Sequence, residues 1–445
     1  MLCSTISANP LKLDVRSHWK CLIICSIATI STFQYGLDYA LVGGFISMPG
    51  FLQVYGYYDD ELKEWDIDHK PTVQQLISSL VTIGTFVSSL LVGPFGNRFG
   101  RKTGLWIASV LNFVATAIML GTTSVGALYF ARLLLGFSVG WFLTFSQLYV
   151  HEAAPAHLRG ITFAVYQIQL SVGSIVGAAT DYGTHTINGR RAYQIPLAIF
   201  FAAPTIQAMA LFFFPETPRW HMVQGKEDKA EVALLQLRNP NIDELEFQAE
   251  LNEIRGSTRE QLEQNKKALF LEMWRGTNLR RTLLSIGVIC FHCASGSSWV
   301  NTYTTYFLSI AGVKEPLALS VMMTCMGLIG VLCSVAFVRL FDRRTIMLAG
   351  VLACAFAQLA PAIAWSVAPG STAAGKVVVA FIAIFTFSYT AYAPYAWLLG
   401  GEYPNNQLRG YCFGLAAAVN FLGNWLGTFT APYFINPASL GWGPK

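Results

Sequence analysis

A chain of 445 residues in which 53% are hydrophobic and only 12% charged is not an ordinary soluble domain, where about 25% of residues carry charge. The formal net charge of +5 does not argue for nucleic acid, because the basic residues fall in loops between apolar runs, where they orient a membrane protein. No secretory signal pattern is expected at the N-terminus: Met1 to Lys20 is polar and mixed, and the apolar run from Cys21 is too long for an h-region.

A bilayer core takes about 20 apolar residues per helix. The first half supplies six such windows, at Cys21 to Ile46, Leu76 to Phe95, Gly104 to Gly121, Val125 to Val150, Ile161 to Tyr182 and Ile195 to Phe214. The second supplies five, at Leu283 to Ala311, Leu317 to Leu340, Ile346 to Val367, Val377 to Leu399 and Gly410 to Phe434. Lys12, Arg16 and Lys20, then Arg98, Arg101 and Lys102, then Arg339, Arg343 and Arg344 fall on one side of this scheme. That side is expected to be cytoplasmic, with the N-terminus, and the acidic loop Met48 to Pro71 is expected opposite. The chain thus divides into a cytoplasmic tail (1–20), a six-helix half (21–214), a cytoplasmic helical linker (215–281), a five-helix half (282–434) and a C-terminal loop remnant (435–445). The linker's charges nearly cancel, which reads as solvated helix faces. The nine cysteines show neither a disulfide framework nor metal-ligand spacing.

One phrase occurs twice. Glu152-Ala-Ala-Pro-Ala-His-Leu-Arg159-Gly160 returns as Glu402-Tyr-Pro-Asn-Asn-Gln-Leu-Arg409-Gly410, an offset of 250 residues. Each copy joins two apolar windows, so the halves are versions of one unit, and internally repeated halves are a mark of transporters. The same offset puts the counterpart of the sixth window near residue 445, so the expectation is eleven spans, a twelfth being absent, with Lys445 opposite the N-terminus. No nucleophile, base and orienting group stand at a recognisable spacing, so catalysis is not expected.

Further motifs follow in chain order: Gln34-Tyr35-Gly36-Leu37-Asp38 in the first window, Gly93-Pro-Phe-Gly-Asn97-Arg98-Phe-Gly100-Arg101-Lys102 after the second, Ala131-Arg132-Leu-Leu-Leu-Gly136 in the fourth and Pro215-Glu216-Thr217-Pro218-Arg219-Trp220 after the sixth. With the two Glu-to-Arg-Gly phrases, these resemble the sugar porter family of the major facilitator superfamily across nearly the whole chain. The resemblance implies an all-α polytopic membrane protein of the major facilitator fold, two six-helix pseudo-repeats with the second cut to five.

Arg98, Arg101, Glu152, Arg159, Glu216, Arg219, Glu402 and Arg409 all sit at helix ends on one side. They read as a cytoplasmic gate whose opposite charges bridge the halves and part as these rock, or, more plainly, as anchors in the headgroup region. Asn97 replaces an acid common at its position. Asp38 and Arg132 lie within apolar windows, where an unpaired ionisable group costs at least about 2.5–3.5 kcal/mol, so they are expected to pair. The resemblance implies that Asp38 takes up a proton and Arg132 tunes it; a static packing pair is the alternative. Asp181, near the end of its window, is expected at the interface.

For the solute, the resemblance implies Gln167 and Trp397, with Asn420 and Asn424 one turn apart on the eleventh window. In the seventh, His292-Cys293-Ala-Ser-Gly296-Ser-Ser298 departs from the family's Gln-Gln-x-x-Gly-x-Asn, and Gly327 stands where an asparagine is common. His292 and Ser298 are candidate replacements, although a lone His on an apolar helix is more often a packing residue. The run Gly296 to Gly312 looks closest to fungal maltose and α-glucoside permeases. The functional expectation is proton-coupled uptake of a sugar or α-glucoside by alternating access, with export of a less polar metabolite or nutrient sensing as alternatives. The expected partners are a small solute and the bilayer, the chain being a monomer in the plasma membrane, with no cofactor beyond the proton.

Overall fold

The computed structural model describes residues 18–45, 48–59, 64–66, 71–155, 158–187, 189–238, 244–265, 270–310, 315–368, 371–404 and 408–435. Among these, eleven helices are long and apolar enough to cross a membrane. In order they are Trp19–Phe45, Gln75–Phe99, Arg101–Gly121, Val125–Ala153, Gly160–Thr184, Arg191–Phe213, Gly276–Thr305, Pro316–Phe337, Arg343–Val367, Thr372–Glu402 and Tyr411–Ala431, called here the first to eleventh spans. The windows expected from hydropathy match them one for one. The seventh begins earlier than expected because Arg280 and Arg281, which an apolar window excludes, lie in its opening turns. Residues 436–445, on which the expectation of a missing twelfth helix turns, lie outside the described residues.

Large apolar side chains such as Phe212, Phe213 and Phe356 are 70% or more exposed on the outside of the bundle, as a lipid-facing surface requires. Inside, helices approach through small residues, the usual device where burial of apolar surface against lipid gives no net drive. A Cβ added at Gly136 of the fourth span would fall 2.1 Å from the Val81 carbonyl oxygen of the second. One at Gly173 of the fifth would fall 2.1 Å from that of Phe33 in the first.

Three spans are interrupted. The first consists of Trp19–Ala28 and Ser31–Phe45, and Thr29 Oγ1 donates to the Cys25 carbonyl at 3.1 Å across the break. The seventh consists of Gly276–Ala294 and Ser297–Ile310, with Gly296 between them at φ 78°, a left-handed conformation that glycine adopts without steric cost. In the sixth, Pro196 precedes a 3₁₀ turn at Ile199–Phe201. Broken helices in corresponding places of two repeats are a pointer to a solute site. The first and seventh spans, each opening its half, are both broken, but at different points along their length.

The connections also carry structure. The acidic loop is not wholly irregular: it holds a short helix, Pro49–Tyr55, and two three-residue antiparallel strands with Tyr58 opposite Trp65. The linker is helical, as expected, in Pro218–Val223, Glu227–Leu237 and Glu244–Asn265. Its helices share a small core of Met222, Ala230, Leu234, Phe247 and Leu251. Arg238, 2% exposed, ties this unit to the bundle: both terminal nitrogens donate to the Ala153 carbonyl at 3.1 Å while Nη2 also pairs with Glu250 at 2.5 Å.

Candidate functional site

A cavity of about 170 Å³ lies between the halves, lined by the first, fourth, fifth, seventh, eighth, tenth and eleventh spans. One water needs only about 10–15 Å³ of such space, so the room is for a solute. Gln167, Trp397, Asn420, Asn424 and His292 all line it. Trp397 stands among aromatic rings, its centroid 5.8 Å from that of His292, 6.0 Å from Phe413 and 6.3 Å from Phe421. His292 Nε2 lies 2.6 Å from the Tyr389 hydroxyl, whereas His292 Nδ1 and Asn420 Oδ1 are buried with no hydrogen-bond partner. Buried polar atoms are rarely left unpaired; these two side chains border the cavity close enough to interact with each other, and a hydroxylated solute can also reach them there.

Ser298 is the exception among the expected solute ligands. It is not part of the lining; its hydroxyl instead donates to Asn424 Oδ1 and its carbonyl accepts from Tyr39 Oη at 3.0 Å. It is therefore a positioning residue. The Tyr39 bond ties the first span to the seventh across the two halves. Sequence reasoning missed Tyr35, Tyr39, Gln147, Tyr166, Asn301 and Tyr389, all in the lining. Tyr35 and Tyr39, one turn apart around Asp38, were the available signal, since an aromatic stripe beside an intramembrane charge marks a face turned inward.

Behind this wall, Arg132 Nη1 lies 2.5 Å from Asp38 Oδ1, both side chains 5% exposed or less. The pairing expected from burial cost is present.

At the opposite end of the same half, charges also meet. Arg101 grips Glu152 Oε1 through Nη2 at 2.7 Å and Nε at 3.1 Å, and its Nη1 donates to the Gly96 carbonyl at 2.8 Å. Glu152 Oε2 accepts from Thr217 Oγ1 at 2.6 Å. Glu216 caps the third span, taking the backbone N–H of Arg101 at 3.1 Å and of Lys102 at 2.9 Å, where the helix N-terminus favours an anion. Gly100 makes room for it: at φ 93°, a Cβ there would fall 2.4 Å from Glu216 Oε2. Burial nonetheless raises the Glu216 carboxyl above its ordinary value, the N–H donors and Arg101 only partly offsetting it.

The expected bridging of these charges between the halves is not seen among the described residues. Among the described residues Arg101, Glu152 and Glu216 pair within the first half, and Glu402 pairs with Arg343 within the second. The repeated phrase places each acid beside the loop of its own half, which is nearer than the partner half. Arg98 lies over the Phe99 ring at 5.3 Å, and neither it nor Arg219 forms an ion pair among the described residues. The side chains of Arg159 and Arg409 lie outside the described residues. Among the described residues, uncharged contacts cross between the halves at this end: Asn97 Nδ2 reaches the Tyr411 hydroxyl at 3.4 Å, and Tyr411 packs against Gly93.

A duplicated bundle of membrane-spanning helices around a polar and aromatic chamber defines a membrane transporter, not an enzyme. Residues 24–443 match the Sugar (and other) transporter family, and the chain belongs to it. The major facilitator-type transporter ecdD of Aspergillus rugulosus is 25% identical over 431 residues, covering 94% of this chain and 79% of that protein. The low-affinity glucose transporter HXT1 of Saccharomyces cerevisiae is 24% identical over 435 residues, covering 95% and 75%. Among solved structures, the proton:xylose symporter XylE bound to 6-bromo-6-deoxy-D-glucose matches with a TM-score of 0.78 at 22% identity, over 96% of this chain and 93% of that one. At that identity the likeness establishes the major facilitator fold. The protein is an integral membrane protein.

Proposed function

We propose that the protein takes up a sugar or α-glucoside by alternating access, coupled to protons. The observation that carries the reading is the buried Asp38–Arg132 pair on the first and fourth spans, behind a chamber whose lining includes Gln167, Trp397, Asn420 and Asn424. Protonating Asp38 would weaken its hold on Arg132 and free the first span, which also carries Tyr35 and Tyr39 of the lining. That is a direct route from proton binding to the solute site. Relatives named as glucose transporters and a fold neighbour named as a proton:xylose symporter support the same reading. In this scheme the Arg101 and Glu152 end faces the cytoplasm of a plasma-membrane protein, and the proton is the coupling ion.

The aromatic walls favour a second reading, a transporter of a less polar solute. His292 and Cys293 replace the amide pair expected of hexose carriers, which leaves more ring surface and fewer hydroxyl-reading groups. Uptake of labelled maltose, glucose and xylose into proteoliposomes, with and without an inward proton gradient, tests both. Gradient-driven accumulation of any one supports sugar symport, and failure of all three under a verified gradient rejects it.

A further inference from the structure

Asp181, expected at the interface from its position near the end of the fifth window, is covered by the protein itself. It is 1% exposed, and neither carboxylate oxygen has a hydrogen-bond partner. The carboxyl rests against the first span, where a Cβ built at Gly44 would fall 1.9 Å from Oδ2. The adjacent Gly43 faces the other half, where a Cβ would fall 2.8 Å from the Thr302 carbonyl oxygen of the seventh span. Two neighbouring glycines of the first span are therefore clamped between Asp181 on one side and the opposite half on the other.

An unpaired carboxylate buried in apolar surroundings is so costly that the group neutralises instead. The charged and titratable groups of the neighbouring elements do not relieve it. On the first span, Asp38 is bound to Arg132 of the fourth, and Tyr39 donates to Ser298. On its own helix, Tyr182 and His185 stack on each other toward the surface. Arg190 and Arg191 before the sixth span, Glu315 before the eighth and Lys376 in the tenth are exposed, and Tyr193 packs on Phe51 and Tyr55. None of these forms an ion pair with Asp181 among the described residues.

We propose that Asp181 is a second proton-binding site, distinct from Asp38, and that its proton permits the first span to close against the fifth and seventh. Binding converts the carboxylate to a neutral acid that tolerates contact with Gly44. Release restores a charge that must be hydrated, which parts the first span from the fifth and withdraws Gly43 from Thr302. The proposal rests on the transporter assignment but not on the identity of the solute or on a coupling role for Asp38.

Infrared spectroscopy of the purified protein tests it without a solute. The parent at neutral pH should show a protonated-carboxyl C=O band that persists in Asp38→Asn and is lost in Asp181→Asn. Thermal unfolding should agree: because burial without a partner favours the protonated acid in the folded state, the parent's midpoint should fall with rising pH relative to that of Asp181→Asn. Survival of the band in Asp181→Asn, or parallel pH profiles for the two proteins, overturns the proposal. Should that variant fail to fold, absence of the band from the parent and from Asp38→Asn overturns it equally.

Discussion

Arg132 reaches Asp38 with one terminal nitrogen at 2.5 Å while its Nε donates to the Ile77 carbonyl at 3.1 Å, so one guanidinium joins the first, second and fourth spans. Losing either partner has unequal consequences. Asp38→Asn leaves Arg132 its carbonyl partner, whereas Arg132→Ala leaves Asp38 without a counter-charge. Removing one member of a buried pair costs about 3–5 kcal/mol.

Asp38→Asn should therefore abolish gradient-driven accumulation yet keep solute exchange, because the isostere preserves the wall but cannot cycle a proton. Arg132→Ala should lower thermal stability more than Asp38→Asn, and the double variant should be less destabilised than the sum of the two. Additive losses in unfolding experiments would refute the coupling of the pair.

Trp397→Ala should raise the half-saturation concentration for the transported solute about 3- to 10-fold, the equivalent of about 0.5–1.5 kcal/mol of aromatic contact. Normal abundance with unchanged half-saturation would assign Trp397 to packing.

His292→Gln and Cys293→Gln should behave differently. His292 lines the chamber, and an amide there should shift selectivity toward glucose over maltose in competition uptake. Cys293 Sγ lies where a Cβ on Gly423 would come within 2.8 Å, so a larger Cys293→Gln side chain meets the eleventh span and should destabilise by about 1–3 kcal/mol. Equal selectivity for parent and His292→Gln would remove the seventh span from solute reading.

Glu216 predicts a pH dependence. Its carboxyl, raised by burial, holds a proton more tightly folded than unfolded, so its stabilising contribution is complete below the unfolded value of about 4.3 and is lost as pH rises through the folded one. Over that window the parent should lose unfolding temperature relative to Glu216→Gln, with a constant gap above it. Parallel profiles would show that the backbone N–H donors fully offset the burial.

Arg238→Ala should loosen the linker helices from the bundle, since Arg238 joins Ala153 to Glu250, although Trp220 and Gln224 still bond the Asn97 carbonyl. Faster protease cleavage within residues 239–275, at unchanged cleavage elsewhere, is the expected result.

The spans were legible because apolar length is a local property, and the Asp38–Arg132 contact because two ionisable groups at membrane depth have few other places to go. Gln167, Trp397, Asn420 and Asn424 were found by motif, and the structure gathers them on one cavity. The partners of the helix-end charges were not legible: spacing shows that Glu152 and Arg101 share a side, but not that the loop of the same half is nearer than the opposite half. The burial of Asp181 was hidden for a related reason. A hydropathy window locates a residue near the end of a helix without showing that Gly44, having no side chain, lets the first span cover it. Tyr39 and Ser298 were invisible as a pair because they are 259 positions apart in the chain.

The ion pairs at the Glu152 end lie inside the halves and not between them, and this sets how the protein responds to electrolyte. Added salt weakens exposed charge pairs, so it acts on the Arg343–Glu402 contact, with both side chains over 40% exposed, and loosens the second half internally. Among the described residues, the contacts of Asn97 with Tyr411 and of Tyr411 with Gly93, which cross between the halves at that end, involve no ion pair. Those contacts should therefore respond less to ionic strength than the Arg343–Glu402 pair does.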